Sequence, residues 1–302
     1  MEPAITLRIL SHNREKFLGE TLASAFAQTL PFAEFELYDN GSDFSLRRLA
    51  KKHPRLRLRR CARPVPAWEN LLRAFADPPA TRWLCVFHDD DLFEPDFGLH
   101  LQNAIRKYPR AGAISCNGTV IDARGKKRGR LLPKLDKELI CARPADLGRW
   151  YCDGFVPFPP TVYRWNQKFG RYLAGAAGYG RCADVGFLAK IVQHAPIVVL
   201  PQFYFRYRRH QTQDSAGFQW WEETKRWQLQ LDLCRGDSKA IRYVQHKRNE
   251  RLTSRWLQAW LKDEPRPEPL ERRHFSAGSA YRFFRNNKLR ILRRCLFRQG
   301  QR

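Results

Sequence analysis

The chain has 302 residues, 43 % of them hydrophobic, enough to bury a full core and to hold one large domain plus an extension. Lys and Arg outnumber Asp and Glu by 55 to 30, so a net charge of +25 points to an anionic partner, substrate or surface. Eight cysteines show no Cys-x-x-Cys pair and no Cys/His ligand spacing, which argues against a zinc module; without a signal peptide they are expected to stay reduced in the cytoplasm. No apolar run approaches the ~18 residues that span a bilayer.

In chain order, residues 4–10 are an apolar run of strand length, ending in the polar, cationic turn Ser11-His12-Asn13-Arg14. Residues 15–28 carry Phe17, Leu18, Leu22, Ala25 and Phe26 at helical spacing. A second strand at residues 35–38 is closed by Asp39-Asn40-Gly41-Ser42-Asp43, a strong turn signal. A helix through Leu49, a strand at residues 56–60, a helix at 68–76 and a strand at 83–87 follow, with another helix from about Asp96. This alternation predicts an α/β fold, a parallel sheet with helices on both faces. No Gly-x-Gly-x-x-Gly or Walker-type loop follows the first strand, which excludes the common dinucleotide and P-loop cradles.

The strand at residues 83–87 runs into His88-Asp89-Asp90-Asp91 and then Pro95. Acids at the carboxyl end of a strand sit where ligands bind in an open α/β sheet. Three adjacent carboxylates repel one another unless a cation neutralises them, and Mg²⁺ or Mn²⁺ suits such oxygen donors. A solvated acidic cap on the next helix is the plainer reading. Asp39 at the second strand tip is either a hydrogen-bonding group at that ligand edge or part of an Asx-type turn with Asn40-Gly41. Asp184 follows the Gly-rich segment 175–180 and precedes a helical run at 185–192, so it is either a helix cap or a carboxylate free to act as a base. His210 ends a basic strand and is either a surface histidine or a group reaching the metal.

These segments resemble glycosyltransferase family 2, the inverting nucleotide-sugar transferases of the GT-A fold. Four matches occur in the family's order: Ser11-His12-Asn13-Arg14, Asp39-Asn40-Gly41-Ser42-Asp43, Asp89-Asp90-Asp91 with Pro95, and Asp184 with Leu188, followed by Arg208-Arg209-His210. Two departures stand out: His88 replaces the usual first Asp of the metal motif, and Ala183 replaces the Glu beside the base.

The resemblance implies a GT-A domain over residues 1–215: a Rossmann-like mixed, mostly parallel sheet with a basic helical extension over 216–302. It implies donor contacts from Ser11, Asn13, Arg14, Asp39, Asn70, Asp89 and Asp90, with Trp68 near the same pocket. A metal, Mn²⁺ or Mg²⁺, is implied at Asp90 and Asp91 with His210 beside it, and Asp184 is the implied base. The implied donor is a nucleotide-diphosphate sugar, UDP- or dTDP-linked. The implied acceptor is a hydroxyl on a cell-surface glycan or lipid-linked molecule, read by residues around 150–179.

The last segment adds a surface. From His274 onward there is no acid, and residues 281–302 hold basic residues interleaved with Phe283, Phe284, Leu289, Ile291, Leu292, Leu296 and Phe297. Such a segment suits an anionic membrane interface, so a peripheral place on the inner face of a bacterial cytoplasmic membrane is expected. Nucleic-acid binding fits the charge but leaves the acidic triplet unexplained and lacks any known motif, so no nucleic-acid partner is expected. A catalytically degenerate binding module on the same fold is the remaining alternative.

Overall fold

Strand β4 (Trp83–His88) shows why its sequence is a continuous apolar run: both of its faces are buried. Trp83, Cys85 and Phe87 enter one core, and Leu84 and Val86 enter a second core across the sheet. These features come from a computed structural model that describes residues 4–153, 160–211, 220–262, 275–288 and 291.

The sheet order is β3-β2-β1-β4-β9-β6-β10-β5. Strands β1 (Ile5–Ser11), β2 (Glu34–Asp39), β3 (Leu56–Leu58) and β4 pair in parallel. Strand β9 (Thr161–Arg164) is antiparallel to both β4 and β6 (Ala113–Asp122), and β10 (Ile197–Arg209) lies parallel to β6. Short β5 (Leu92–Phe93) and β8 (Leu139–Cys141) add antiparallel to β10, and β7 (Lys127–Arg130) to β6. The expected α/β sheet is therefore present and mixed.

Helices α1 (Glu15–Phe26) and α4 (Phe97–Lys107) cover the first core through Leu18, Leu22, Phe97 and Leu101. On the opposite face, α3 (Ala67–Ala76), α5 (Pro144–Asp153), α6 (Phe169–Ala176) and α7 (Ala183–Val192) bury Phe75, Leu147, Leu173, Phe187 and Leu188. A buried ion pair joins the layers. Arg8 Nε bonds Glu36 Oε2 at 2.7 Å, and its Nη1 reaches the carbonyls of Ala74 and Asp77, both at 2.7 Å, tying α3 to β1.

Several boundaries differ from the sequence reading. The third strand ends at Leu58 rather than residue 60, yet Arg59 N and Cys61 N still donate to Leu37 and Asp39 carbonyls, so the chain keeps running beside β2. Helix α2 (Arg47–Lys52) continues past Leu49, and α7 begins two residues before the expected run at 185.

Helix α8 (Trp220–Leu233) places Leu229 and Leu233 in the second core. Helix α9 (Ser238–Lys262) then carries α10 (Ala277–Asn286), capped by Ser276, with Leu257, Ala280 and Phe283 packed together. Phe283 is only 7 % exposed, whereas Phe284 and Tyr281 are 44 % and 67 % exposed. The two adjacent phenylalanines therefore do different jobs, contrary to a reading that gives both to one surface. Leu289, Leu292, Leu296 and Phe297 lie outside the described residues. No helix among the described residues is long and apolar enough to cross a membrane.

Candidate active site

Parallel register lines up the strand tips: Ser11 pairs with Asp39, and Leu10 with His88. Side chains at the carboxyl ends of β1, β2 and β4 are thus gathered at one edge of the sheet, as open α/β sheets gather ligand-binding groups.

The β2 tip is held rigid by its own loop. Asp39 is fully buried, accepts from Ser42 Oγ at 2.5 Å and from Ser42 N at 3.2 Å, and has Arg60 Nε 3.4 Å away. The turn-forming role weighed for Asp39 is therefore real, and its carboxylate is fixed at the tip rather than swinging. Gly41 has φ +67°, and a Cβ there would lie 2.9 Å from Pro64 N, so the loop needs glycine on both counts. Asn13 also has positive φ, 53°, a conformation Asn tolerates better than most residues. Its amide pairs with Asp43 through Nδ2→Oδ2 at 2.9 Å and Asp43 N→Oδ1 at 2.8 Å, locking the β1 loop to the β2 loop. Asn70 is buried, donating to Tyr38 O at 3.0 Å and accepting from Arg73 at 3.0 Å, so it braces the wall behind Asp39. Trp68 is 46 % exposed and so is not part of the core.

The acidic turn after β4 is buried and clamped. The Thr21 hydroxyl sits 2.9 Å from Asp89 O and 2.8 Å from Asp91 O, fastening the turn to α1. Asp89 accepts from His12 N at 3.1 Å. Burial pushes its carboxyl up to about 7, opposed most by the Ser11 hydroxyl, reinforced by the neighbouring Asp90 charge, and opposed further by His12 N–H and Arg14. Burial also raises Asp91 well above the usual carboxylate range, with Asp90 adding to it.

The pairing of β5 with β10 folds the basic strand end back over this turn. Fully buried Arg208 donates its backbone N–H to Asp91 Oδ1 at 2.7 Å, its Nε to Asp90 O at 2.8 Å and its Nη2 to Glu20 at 2.6 Å. Its guanidinium lies 4.6 Å from the Phe17 ring centroid. His210 Nε2 lies 2.7 Å from Asp90 Oδ2. The motif match led to Asp90, Asp91 and His210; the supporting roles of Thr21, Glu20 and the Arg208 side chain were hidden, because contacts across more than 60 residues leave no local signal.

Donor atoms of His88, Asp90 and Asp91 lie within 4.8 Å of one another. Asp91 Oδ2 is buried with no hydrogen-bond partner, a costly state that a cation would relieve. The residues present therefore fit a divalent ion. His210 abuts this set through Asp90.

Asp184 lies in the first turn of α7, two residues after Cys182, the capping position, on the helix whose Val185, Phe187 and Leu188 enter the second core. It accepts from Val185 N at 2.7 Å rather than capping the helix. Burial raises its carboxyl to about 6, against the pull of Val185 N–H and of the Arg226 guanidinium. Arg226, on α8, lies 4.6 Å from the Tyr151 ring centroid and donates to Tyr151 O at 3.1 Å. Arg226 did not stand out in the sequence, because helical segments so far apart give no sign that they meet.

The sequence pattern described as Glycosyl transferase family 2 matches residues 6–167, more than half the chain. No curated protein matches the chain. Among solved structures, S. aureus TarS 1–349 superposes with TM-score 0.55 at 12 % identity, covering 81 % of this chain and 69 % of that one. The same fragment solved with UDP-GlcNAc gives TM-score 0.56 at 12 % identity, covering 83 % and 72 %. Another structure of S. aureus TarS gives 0.55 at 14 % identity, covering 83 % of this chain and 43 % of that one. At these identities the likeness speaks to the GT-A fold, and the family pattern speaks to the chemistry: the chain belongs to glycosyl transferase family 2 and is a glycosyltransferase.

Proposed function

We propose that the protein transfers a sugar, with inversion, from a nucleotide-diphosphate donor to a hydroxyl of a cell-surface glycan or lipid-linked acceptor, in a divalent-metal-dependent reaction. The observation that carries this reading is the cluster of His88, Asp90 and Asp91, touched by His210 and holding an unpartnered buried carboxylate oxygen, at the sheet edge that also carries Asp39. Relatives in fold support the donor class: S. aureus TarS has been solved with UDP-GlcNAc and with UDP.

Asp39, held by Ser42 and Arg60, keeps lone pairs for ribose or base hydroxyl and amine groups. Arg14 and the Ser11–Asn13 turn, locked to the β2 loop through Asn13 and Asp43, would meet the phosphates, and Asn70 holds the β2 wall. Asp90 and Asp91 would hold Mn²⁺ or Mg²⁺, which supplies charge neutralisation for the departing diphosphate. Asp89, poised near neutrality, sits between Asp90 and the β1 loop. In the transfer, the acceptor oxygen forms its bond to the anomeric carbon as the bond to the diphosphate breaks on the opposite face. The hydroxyl proton passes to Asp184, whose carboxyl near 6 is ionised at neutral pH yet basic enough to accept it.

Residues 1–215 would form the catalytic unit and 216–302 the basic extension. Tyr281 and Phe284 stand exposed beside Arg282 and Arg285 on α10, which favours attachment to an anionic membrane face.

A thermal-shift series with UDP and dTDP, with Mn²⁺ or with excess chelator, tests the donor and metal together. A ligand at 100 times its dissociation constant adds about 2.7 kcal/mol to folded-state stability. Stabilisation by a nucleoside diphosphate only when metal is present is expected. Equal stabilisation in chelator would overturn the metal dependence. Tight binding with neither donor hydrolysis nor transfer would favour the binding-module reading.

A further inference from the structure

The donor set at the acidic turn is not all oxygen. His88 is the last residue of β4, and its ring nitrogen lies with one oxygen each of Asp90 and Asp91 inside a 4.8 Å span. Asp89, the acid between them in sequence, is turned away to His12 N. Asp91 has one oxygen on Arg208 N and the other buried without a partner. His210 touches the set from outside, through Asp90.

We infer that His88 is a direct nitrogen ligand of the bound cation, so that this site selects first-row transition ions over Mg²⁺. The inference rests on the proposed metal-dependent reading and deepens it. An imidazole is neutral where a carboxylate is charged, so the set loses one negative charge. Mg²⁺, whose binding depends on charge and on oxygen donors, loses most from that exchange. Mn²⁺ and, more strongly, Co²⁺ gain from a nitrogen donor, in the general order of divalent affinities for such sites. One imidazole with two carboxylates also leaves positions open for diphosphate oxygens.

The test uses the full chain loaded with Mn²⁺, Co²⁺ or Mg²⁺ alone. Electron spin-echo envelope modulation on the Mn²⁺ complex reports a directly bound ¹⁴N. Expected is a nitrogen modulation in the wild type that disappears in His88→Asp and persists in His210→Gln at saturating Mn²⁺. Calorimetric titration should show Co²⁺ preferred over Mg²⁺, with the preference falling at least tenfold in His88→Asp, which returns an oxygen donor. Retained secondary structure by circular dichroism, and UDP-induced thermal stabilisation with Mn²⁺, show that the variant is folded and loaded. His88→Gln, which keeps the side-chain size more closely, serves as the second variant and should lose the modulation as well. Modulation that survives in both His88 variants and vanishes in His210→Gln would move the nitrogen ligand to His210 and overturn the inference. Mn²⁺ binding with no nitrogen signal in the wild type would overturn it while leaving a metal-dependent transferase intact. No cation binding at all, with or without UDP, would overturn the metal reading and this inference with it.

Discussion

His210 Nε2 lies 2.7 Å from Asp90 Oδ2, although 120 residues separate the two in the chain. The contact exists because β10 passes antiparallel to the two-residue strand β5, which returns the basic strand end over the acidic turn. An imidazole N–H on one carboxylate oxygen fixes the rotation of that carboxylate. Groups that orient a metal ligand in this way commonly contribute 10–100-fold in metal affinity. His210→Gln is therefore expected to weaken Mn²⁺-dependent UDP binding by about that factor. Calorimetry in Mn²⁺ and in chelator checks it: an unchanged Mn²⁺ affinity would remove His210 from the site.

Asp184 yields a prediction with two readouts of opposite sign. As the base it must be ionised, so transfer should rise with pH through about 6 and level off above it. Asp184→Asn should lower transfer by roughly 10²–10⁴-fold and abolish that limb, with donor affinity little changed. For stability, the folded carboxyl sits near 6 against an ordinary 3.8, so the folded state binds the proton more tightly than the unfolded chain. The penalty for ionised Asp184 is therefore full above pH 6 and is relieved as pH falls towards 4, to at most about 3 kcal/mol. Asp184→Asn removes it and keeps an oxygen for Val185 N, so the inactive variant should be the more stable at pH 8. Urea unfolding at pH 8 and pH 5 measures the difference; a less stable variant at pH 8 would contradict the burial argument.

Gly41 tests whether the β2 loop is built or merely present. Gly41→Ala forces a side chain into a left-handed conformation and against the Pro64 backbone. A cost of roughly 1–3 kcal/mol is expected. UDP affinity should fall as well, because the same loop carries Ser42 to Asp39. Denaturant midpoints and UDP titration together check this; a stable variant with weakened UDP binding would place the effect in the loop alone.

Phe283 and Phe284 are neighbours with opposite exposure, so they separate membrane contact from folding. Phe283→Ser empties the contact with Leu257 and Ala280 and should lower thermal stability, buried Phe truncations costing about 3–5 kcal/mol. Phe284→Ser should leave stability unchanged and reduce binding to vesicles containing anionic lipid, since inserted rings matter there and pure charge attraction ignores them. Vesicle co-sedimentation and a melting curve on each variant provide the comparison. Unchanged vesicle binding in Phe284→Ser, with DNA affinity falling steeply as salt is added, would favour a nucleic-acid surface instead.

Much of this protein was written locally. The burial of β4 on both faces made its apolar run conspicuous, and the turns at Asn13 and Gly41 were marked by residues that tolerate positive φ. The acidic triplet after an apolar run was legible as a strand tip, which sets it at the carboxyl edge of the sheet. What the chain could not announce were relations between distant segments. Arg208 reads in sequence as one more cation in a basic run, yet it is fully buried and holds Asp90, Asp91 and Glu20 in place. His88 reads as a departure from a motif, yet its ring nitrogen lies within 4.8 Å of carboxylate oxygens of Asp90 and Asp91. Phe283 and Phe284 look equivalent until helix α9 covers one of them. Short-range preferences set where strands, turns and acids fall; only the pairing of strands and the packing of helices decides which side chains meet, because that choice is made by burying distant apolar surfaces together.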